Sequence, residues 1–370
     1  LGQWLAEYYA THPVLVWQTI LPRGLHKTRR KSLQNASHPS RDRTHIVLNN
    51  AQTDAVERIV ASPNGTSLLH GVTGSGKTQV YIELAKQTVT AGRSVILLVP
   101  EIALTSQLIA EFTPHFPELK VTHSTMTESA RHQVWQSLLY ADSPQVVIGP
   151  RSALFSPVPN LGLIIIDECH EPSFKQDQSP RYSALRGAAM LARFADARLV
   201  LGSATPNVTD YYLATTADAP IVQLDRPART DTVAPTVTLV DMTKKLNFTR
   251  SSLFSNDMIT AMQHTIEAGH QVLLFHNRRG TAPMTLCESC GWSALCDRCF
   301  VPMTLHGDRF ELRCHICDAV QRVPTACPSC GEAQIIHKGI GTKLIHESVA
   351  KLFPRARIER FDGDSDQDAT

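Results

Sequence analysis

The stretch that decides the fold around it is Leu68-Leu69-His70-Gly71-Val72-Thr73-Gly74-Ser75-Gly76-Lys77-Thr78. It has the Gly-x-x-x-x-Gly-Lys-Thr spacing of a phosphate-binding loop, and a helical pattern follows over residues 79–90. In such a loop, backbone N–H groups surround phosphate oxygens at the positive end of the following helix. A chance glycine turn would lack the flanking strand and helix patterns. We therefore expect a nucleotide site built by Gly71, Gly74, Ser75, Gly76, Lys77 and Thr78.

A second motif supplies the acidic groups that nucleotide hydrolysis needs. Apolar residues 163–166 are followed by Asp167-Glu168-Cys169-His170. An acidic pair at the carboxyl end of a buried strand lies in the crevice where open α/β sheets bind ligands. We expect Lys77 to contact the β- and γ-phosphates of ATP, and Thr78 and Asp167 to hold Mg²⁺. Glu168 would polarise the attacking water, so the predicted catalytic residues are Lys77, Asp167 and Glu168.

Features near the acidic pair have alternative interpretations. The pair could be a helix cap without catalysis, which the phosphate loop disfavours. His170 either couples the nucleotide state to DNA or caps a turn. Cys169 is a small spacer rather than a nucleophile, because no base partner is evident. After a further apolar run, Gly202-Ser203-Ala204-Thr205-Pro206 offers small hydroxylated residues that could link the nucleotide site to a neighbouring element.

The spacing of short apolar runs indicates an α/β fold. Runs of nearly continuous hydrophobicity, separated by helical patterns, are typical of parallel strands covered on both faces. A second set of such patterns begins near residue 251, with a predicted strand at 271–275, and resumes with a helix at 342–352 and a strand at 357–360. We predict two doubly wound domains, the second one truncated. The runs of the first domain are residues 67–70, 94–99, 145–148, 163–166 and 198–201.

A cysteine-rich module interrupts the second set of patterns. Its spacing is Cys287-x2-Cys290-x5-Cys296-x2-Cys299-x14-Cys314-x2-Cys317-x9-Cys327-x2-Cys330. Two Cys-x-x-Cys pairs complete one tetrahedral Zn²⁺ site, so these eight thiols predict two closed, structural zinc sites. Redox pairs and iron–sulfur ligation are the alternatives. The spacing allows adjacent or nested pairing, and it leaves His306 and His315 outside the ligand set.

Composition sets the class of protein without naming a substrate. The 370 residues carry a net charge of +2, which neither requires nor excludes nucleic-acid binding. The longest apolar runs are too short to span a membrane, and the first residues lack the layout of a signal peptide. Eight of the nine cysteines lie in Cys-x-x-Cys pairs, which favours a reducing cytoplasm over disulfides.

The order of the motifs carries a family resemblance. A phosphate loop, Asp-Glu-Cys-His and Ser-Ala-Thr together resemble superfamily 2 helicases, whose motor is a pair of RecA-like domains. In such enzymes the position of Gln52 contacts adenine. Two further stretches narrow the resemblance from the superfamily to one family. They are Asn277-Arg278-Arg279-Gly280, just before the cysteines, and Gly149-Pro150-Arg151-Ser152-Ala153-Leu154-Phe155. The chain resembles the PriA family of bacterial primosomal replication-restart helicases.

The resemblance implies an activity and partners. It implies ATP-driven 3′-to-5′ unwinding at stalled or collapsed replication forks, binding to forked and single-stranded DNA, and contacts with primosome proteins and single-stranded DNA-binding protein. It implies a cytoplasmic, nucleoid-associated location. It also implies nested zinc sites, in which one metal is bound by Cys287, Cys290, Cys327 and Cys330 and the other by Cys296, Cys299, Cys314 and Cys317. The residues implied to couple DNA to hydrolysis are His170, Phe174, Lys175, Arg181 and Tyr182.

Within that coupling loop we expect Phe174 and Tyr182 to stack on unpaired bases while Lys175 and Arg181 meet phosphates. We also expect the chain to lack distal motor motifs, including an arginine finger, and so to hydrolyse ATP poorly on its own. The alternative function is a non-catalytic zinc-bound platform at forks or primosomes. A small-molecule kinase or a transporter ATPase does not fit the motif series.

The predicted domain organisation has six segments, and the chain is expected to be partial at both ends. The basic, polar second segment is a solvated tether in preference to a DNA-binding strap. The segments are a remnant of an amino-terminal DNA-binding domain (1–25), a linker (26–44), the first RecA-like domain (45–225), the start of the second (226–283), the zinc module (284–333) and the truncated continuation of the second (334–370).

Overall fold

The chain forms two compact units, Leu1–Ala234 (unit 1) and Pro235–Thr370 (unit 2). The six predicted segments divide the chain more finely and remain a prediction. Among the described residues, no helix is long and apolar enough to cross a membrane. The computed structural model describes residues 1–22, 47–62, 65–100, 106–217, 219–229, 235–242, 244–251, 253–276, 284–306, 310–314, 316–338 and 342–361.

Unit 1 is built on a seven-stranded, wholly parallel sheet with the order β3-β4-β2-β5-β6-β1-β7. The carboxyl ends of parallel strands meet at one edge, where open α/β sheets bind ligands. The strands are β1 (Thr66–Gly71), β2 (Ser94–Leu98), β3 (Lys120–Val121), β4 (Val146–Gly149), β5 (Leu161–Ile166), β6 (Arg198–Ser203) and β7 (Ile221–Leu224).

Both faces of this sheet are buried. In β2, Val95 and Leu97 pack into one core cluster, and Ile96 and Leu98 pack into the other, because successive strand residues face opposite sides. The first cluster is completed by α3 (Asn50–Ala61), α4 (Lys77–Thr90) and α5 (Ser106–Phe112), and the second by α1 (Gly2–Tyr8), α2 (Pro13–Ile20), α6 (Glu128–Leu139) and α7 (Ala184–Ala195). Helix α8 (Val208–Thr216) follows β6. The α/β, doubly wound prediction is confirmed for unit 1.

All five strands predicted for the first domain are present. The sequence patterns missed β3, which has two residues, and β7, because neither forms a long apolar run. Helix α4 begins at Lys77 rather than at residue 79, so the Lys-Thr pair of the loop is already helical. This places the Lys77 and Thr78 side chains on the first helical turn.

Unit 2 contains the cysteine-rich module and two helices. Five short antiparallel strands have the order β11-β10-β9-β8-β12, and the strands are β8 (Met284–Cys287), β9 (Thr304–His306), β10 (Glu311–Arg313), β11 (Val320–Arg322) and β12 (Ile335–Lys338). Helices α9 (Asn256–Glu267) and α10 (Thr342–Leu352) share a separate small apolar cluster.

The predicted strands at 271–275 and 357–360 are wrong as strands. Leu274 and Ile358 do pack against the cluster of α9 and α10, as buried strand residues would. In the part of the chain that the structure describes, however, neither segment pairs with another in a ladder. Hydrophobicity predicts which residues pack inward, whereas a strand also needs a hydrogen-bonding neighbour.

Candidate functional site

The phosphate loop joins β1 to α4 at the carboxyl edge of the sheet. Gly74 and Gly76 have φ of +77° and +80°, in the left-handed region that glycine adopts readily. Gly76 immediately precedes α4, so the free N–H groups of that helix begin at the loop. The Ser75 hydroxyl is buried and has no hydrogen-bond partner among the described residues. A buried, unpartnered hydroxyl fits a loop that receives the phosphate oxygens of a nucleotide.

Gln52 holds this loop through a side-chain hydrogen bond. Its side chain is 3% exposed, its Nε2 donates to the Ser75 carbonyl at 3.0 Å, and its Oε1 accepts from the Asn49 backbone N–H at 3.0 Å. The second bond is half of a capping box in which the Asn49 side chain accepts from the Gln52 N–H. Gln52 therefore fixes the loop to the start of α3. Its predicted contact with adenine stays a prediction, since its amide still has donor capacity.

The acidic pair lies beside the loop. Lys77 Nζ is 4.0 Å from Glu168 Oε1 and donates to the Gly71 carbonyl at 2.9 Å. Asp167 Oδ1 accepts a 2.9 Å hydrogen bond from Tyr81 Oη. Burial raises the pKa of the Asp167 carboxyl, and the bond from Tyr81 opposes that shift. Glu168 has a φ of +46°, a strained conformation for a residue with a side chain, of the kind that persists at functional sites.

These groups enclose one pocket of about 840 Å³. That volume falls within the range of about 300–1,000 Å³ that small-molecule and cofactor sites occupy. Thr78 and Asp167, the two predicted Mg²⁺ ligands, both line it, and a hydroxyl with a carboxylate is a donor set that suits Mg²⁺. The lining comprises Val47, Asn49, Gln52, Thr73, Gly74, Ser75, Gly76, Lys77, Thr78, Gln79, Glu111, Asp167, Glu168, Ala228 and Arg229.

His170 connects the acidic pair to the end of β6. Its Nδ1 lies 2.8 Å from Ser203 Oγ and 3.5 Å from Glu168 Oε2. The same Ser203 hydroxyl accepts from the Thr205 N–H at 2.9 Å. The sequence suggested that the Ser-Ala-Thr segment could link the nucleotide site to a neighbouring element, and this hydrogen-bonded chain is such a link. Whether it transmits DNA binding stays a prediction.

The two aromatic rings of the coupling loop are buried in this structure, and their stacking on unpaired bases stays a prediction. Phe174 and Tyr182 are 2% and 1% exposed, and both belong to the core cluster that contains α7. Tyr182 lies 5.3 Å from the Phe155 ring, centroid to centroid. Large aromatic rings gain more from apolar burial than a mobile surface loop would provide, so they fold inward. Neither ring can meet a base unless residues 171–183 rearrange.

Contacts within the loop and with other segments of unit 1 hold the loop in place. Lys175 Nζ donates to the Arg181 carbonyl and lies 5.2 Å from the centroid of the Tyr9 ring. The Tyr9 hydroxyl accepts the Ser183 N–H at 3.0 Å. Arg151 donates to the Ser173 carbonyl at 2.8 Å. Of the four predicted loop residues, Arg181 and Lys175 are exposed, and their contact with phosphates stays a prediction.

The eight module cysteines form two groups of four. Cys287, Cys290, Cys327 and Cys330 make one group, Cys296, Cys299, Cys314 and Cys317 make the other, and the sulfur atoms of each lie within 4.8 Å of one another. The nested arrangement implied by the family resemblance is confirmed, and adjacent pairing is excluded. The spacing alone could not decide this, because both pairings close two sites.

The sulfur geometry suits tetrahedral zinc. Cys287 and Cys330 Sγ are 3.6 Å apart, as are Cys296 and Cys317 Sγ. A tetrahedron with Zn–S bonds of about 2.3 Å has edges of about 3.8 Å. All four positions of each site are sulfur, so the sites are closed and structural.

Sequence reasoning missed two tyrosines. Tyr81 was overlooked because an aromatic residue inside α4 is expected to be core packing, which it also is. Tyr9 lies far from the loop in sequence, and only the fold brings its hydroxyl to Ser183. A further group of predicted features lies outside the described residues: the linker 26–44, the segment 277–280 and His315.

Comparisons with known proteins agree with this geometry. Residues 49–212 match the family model described as DEAD/DEAH box helicase, which spans the phosphate loop, the acidic pair and the Ser-Ala-Thr segment. Residues 296–322 match the model described as PriA DNA helicase Cys-rich region (CRR) domain.

The curated relatives that match this chain are replication restart proteins named PriA. The replication restart protein PriA of Bacillus subtilis is 38% identical over 80% of this chain, that of Chlamydia trachomatis 40% over 86%, and that of Treponema pallidum 36% over 98%. The chain covers 37%, 43% and 54% of those three relatives, respectively. In its helicase and cysteine-rich regions, this chain belongs to the PriA family of replication restart proteins.

Proposed function

We propose that the chain binds and hydrolyses ATP and couples hydrolysis to movement on DNA, as the motor region of a replication-restart helicase. The observation that carries the proposal is the single pocket in which Lys77 and Glu168 lie 4.0 Å apart beside a glycine loop at a helix N-terminus. The companion proposal for the whole protein is 3′-to-5′ unwinding at stalled or collapsed forks. Both rest on the family and on this pocket.

Each group at the pocket has one task in the proposed reaction. The loop N–H groups and the Lys77 ammonium bind the β- and γ-phosphates and orient the terminal phosphate. Thr78 and Asp167 would hold Mg²⁺, which neutralises phosphate charge when bound with ATP. Glu168 accepts the proton of the attacking water or orients that water. Its carboxylate lies 4.0 Å from the Lys77 ammonium, beside the position proposed for the terminal phosphate.

DNA is proposed to act on this pocket by two routes. The first runs from Glu168 through His170 to Ser203 and Thr205 at the end of β6. The second is the loop 171–183, which begins directly after the acidic motif and whose surface cations, Lys175 and Arg181, can meet backbone phosphates. Because one loop joins the acidic motif to α7, a DNA contact there can move the catalytic carboxylate.

The zinc module is proposed as a rigid structural element of the same protein. Primosome proteins and single-stranded DNA-binding protein are proposed partners, and a cytoplasmic, nucleoid-associated location is proposed with them. Nothing in the module's chemistry requires catalysis by zinc, because sulfur fills every coordination position.

The test is ATP hydrolysis by the full chain with and without single-stranded or forked DNA. We expect slow hydrolysis by this chain, stimulated by DNA, and loss of that hydrolysis in Lys77→Ala. The matched control is Lys244→Ala, which removes an ammonium on a side chain that is 70% exposed and lies outside the pocket lining. Tailed duplexes with a 3′ or a 5′ single strand then test polarity.

Two results would contradict the proposal. Hydrolysis that is equal in the parent and in Lys77→Ala would show that the phosphate loop does not act. ATP binding without hydrolysis, even with DNA, would favour the alternative function, a non-catalytic zinc-bound platform at forks or primosomes.

A further inference from the structure

The sheet order separates the phosphate loop from the acidic pair by one intervening strand. The phosphate loop follows β1 and Asp167 follows β5, yet β6 lies between these two strands. Neighbouring strands are about 4.8 Å apart, so the two motifs are separated by about 10 Å across β6. A side chain that spans β6 would connect the metal-binding carboxylate directly to the helix that follows the loop.

Tyr81 makes this bridge. It lies one helical turn after Lys77 on α4, it is fully buried, and its hydroxyl donates to Asp167 Oδ1 at 2.9 Å. Its path crosses β6 at Gly202, where a Cβ atom would lie 1.7 Å from Tyr81 Oη. Real Cβ atoms do not approach other atoms within 3.0 Å, so only glycine admits the tyrosine hydroxyl there. Gly202 directly precedes Ser203, the partner of His170.

The direction of the hydrogen bond matters for metal binding. A carboxylate has two oxygens with about four lone-pair sites, so the bond to Tyr81 at Oδ1 leaves acceptor capacity for a metal. Groups that hydrogen-bond a metal ligand orient it, and their removal costs about 10- to 100-fold in metal affinity or activity. Tyr81 is such a hydrogen-bonding group for Asp167. Gly202 has no side chain, which leaves room for the tyrosine hydroxyl.

We propose that Tyr81 is a positioning residue that holds the Asp167 carboxylate for the metal of bound nucleotide, and that Gly202 serves to admit its hydroxyl. The inference rests on the proposed function, since it concerns the same site. It assigns a role to two residues, one in α4 and one in β6, and it connects the helix that follows the phosphate loop to the acidic pair and to the end of β6.

The experiment uses the full chain and separates metal binding from nucleotide binding. A fluorescent 2′/3′-O-(N-methylanthraniloyl) ATP is titrated into each variant in EDTA and again in Mg²⁺, and bound Mn²⁺ is followed by electron paramagnetic resonance. Tyr81→Phe keeps the ring and removes only the hydroxyl. We expect unchanged binding in EDTA and binding about tenfold weaker in Mg²⁺, with a matching loss of Mn²⁺ affinity.

Two further variants isolate the mechanism. Tyr140→Phe removes a hydroxyl from a side chain that is 76% exposed at the end of α6 and is absent from the pocket lining, and it should behave as the parent. Tyr81→Phe combined with Asp167→Asn should bind metal no more weakly than Asp167→Asn alone, because the hydroxyl acts only through that carboxylate.

The outcomes distinguish this inference from the proposed function. If Tyr81→Phe binds as the parent does in Mg²⁺, the inference is overturned while the proposed function stands. If Tyr81→Phe weakens binding equally in EDTA and in Mg²⁺, the tyrosine shapes the pocket and does not position the carboxylate, which also overturns it. If the parent binds no ATP in either condition, the proposed function falls and the inference falls with it.

Discussion

Replacing Gly76 with alanine should destabilise unit 1 by an amount that the structure lets us divide. Gly76 has a φ of +80°, and a Cβ there would lie 2.2 Å from Gln52 Nε2. The left-handed conformation costs alanine about 1–2 kcal/mol, partly offset by about 0.5–1 kcal/mol from the less flexible unfolded chain. Displacing the Gln52 amide also breaks its bonds to the Ser75 carbonyl and the Asn49 N–H, at about 1 kcal/mol each. The expected loss is about 3 kcal/mol.

Gly74 provides a matched control for the conformational part. It has a φ of +77°, but a Cβ there would meet no atom within 4 Å. Gly74→Ala should therefore cost only about 1 kcal/mol. Urea unfolding followed by tryptophan fluorescence measures both values. A Trp292→Phe background leaves only tryptophans of unit 1, so that the signal reports on that unit.

A double-mutant cycle decides whether the contact with Gln52 is the cause. In a Gln52→Ala background the amide is absent, so Gly76→Ala should cost no more than Gly74→Ala does. Equal losses for Gly74→Ala and Gly76→Ala in the parent would refute the reasoning, because they would show that the left-handed strain alone sets the stability of the loop. An undiminished cost of Gly76→Ala after Gln52 is shortened would refute it as well.

Three further predictions concern other parts of the chain. Tyr9→Phe removes the acceptor of the Ser183 N–H, so exchange of that amide proton, measured by mass spectrometry or NMR, should become severalfold faster; an unchanged rate would show that Tyr9 does not restrain the loop. Cys287→Ser should lower the zinc content from about two to about one ion per chain by elemental analysis, since each nested group binds one metal; loss of both would mean that the sites are not independent. Cys169 should resist iodoacetamide at pH 8 in the native protein, because burial raises its pKa to about 12 and blocks access, and rapid alkylation would contradict this.

Local motifs carried most of what the sequence could predict. The phosphate loop and the acidic pair are contiguous stretches, and each places its functional groups relative to its own strand and helix. Their convergence follows from the rule that parallel strands end at one edge. The two zinc groups were predictable as a set of eight thiols, whereas their nesting required the family resemblance. The sequence alone therefore supported predictions about contiguous motifs, but not about which distant segments pair.

Contacts between distant segments were the part that the sequence could not predict. Tyr81 reaches Asp167 across β6, and Tyr9 reaches Ser183 from the start of the chain. No local pattern encodes such pairs. The burial of Phe174 was not predicted either, because an aromatic residue in a polar loop suits both base stacking and core packing. The unpaired segment at 271–275 shows that apolar periodicity does not establish strand pairing.

The most direct test of the central claim is calorimetric titration of ATP with Mg²⁺ into the full chain and into Lys77→Ala. The loop, Gln52 and the acidic pair surround one pocket, so we predict binding of one ATP per chain. We also predict affinity at least about tenfold weaker in Lys77→Ala, since the ammonium that meets the phosphates is lost. No binding by the parent, or equal binding by the two proteins, would contradict the claim that this pocket is a nucleotide site.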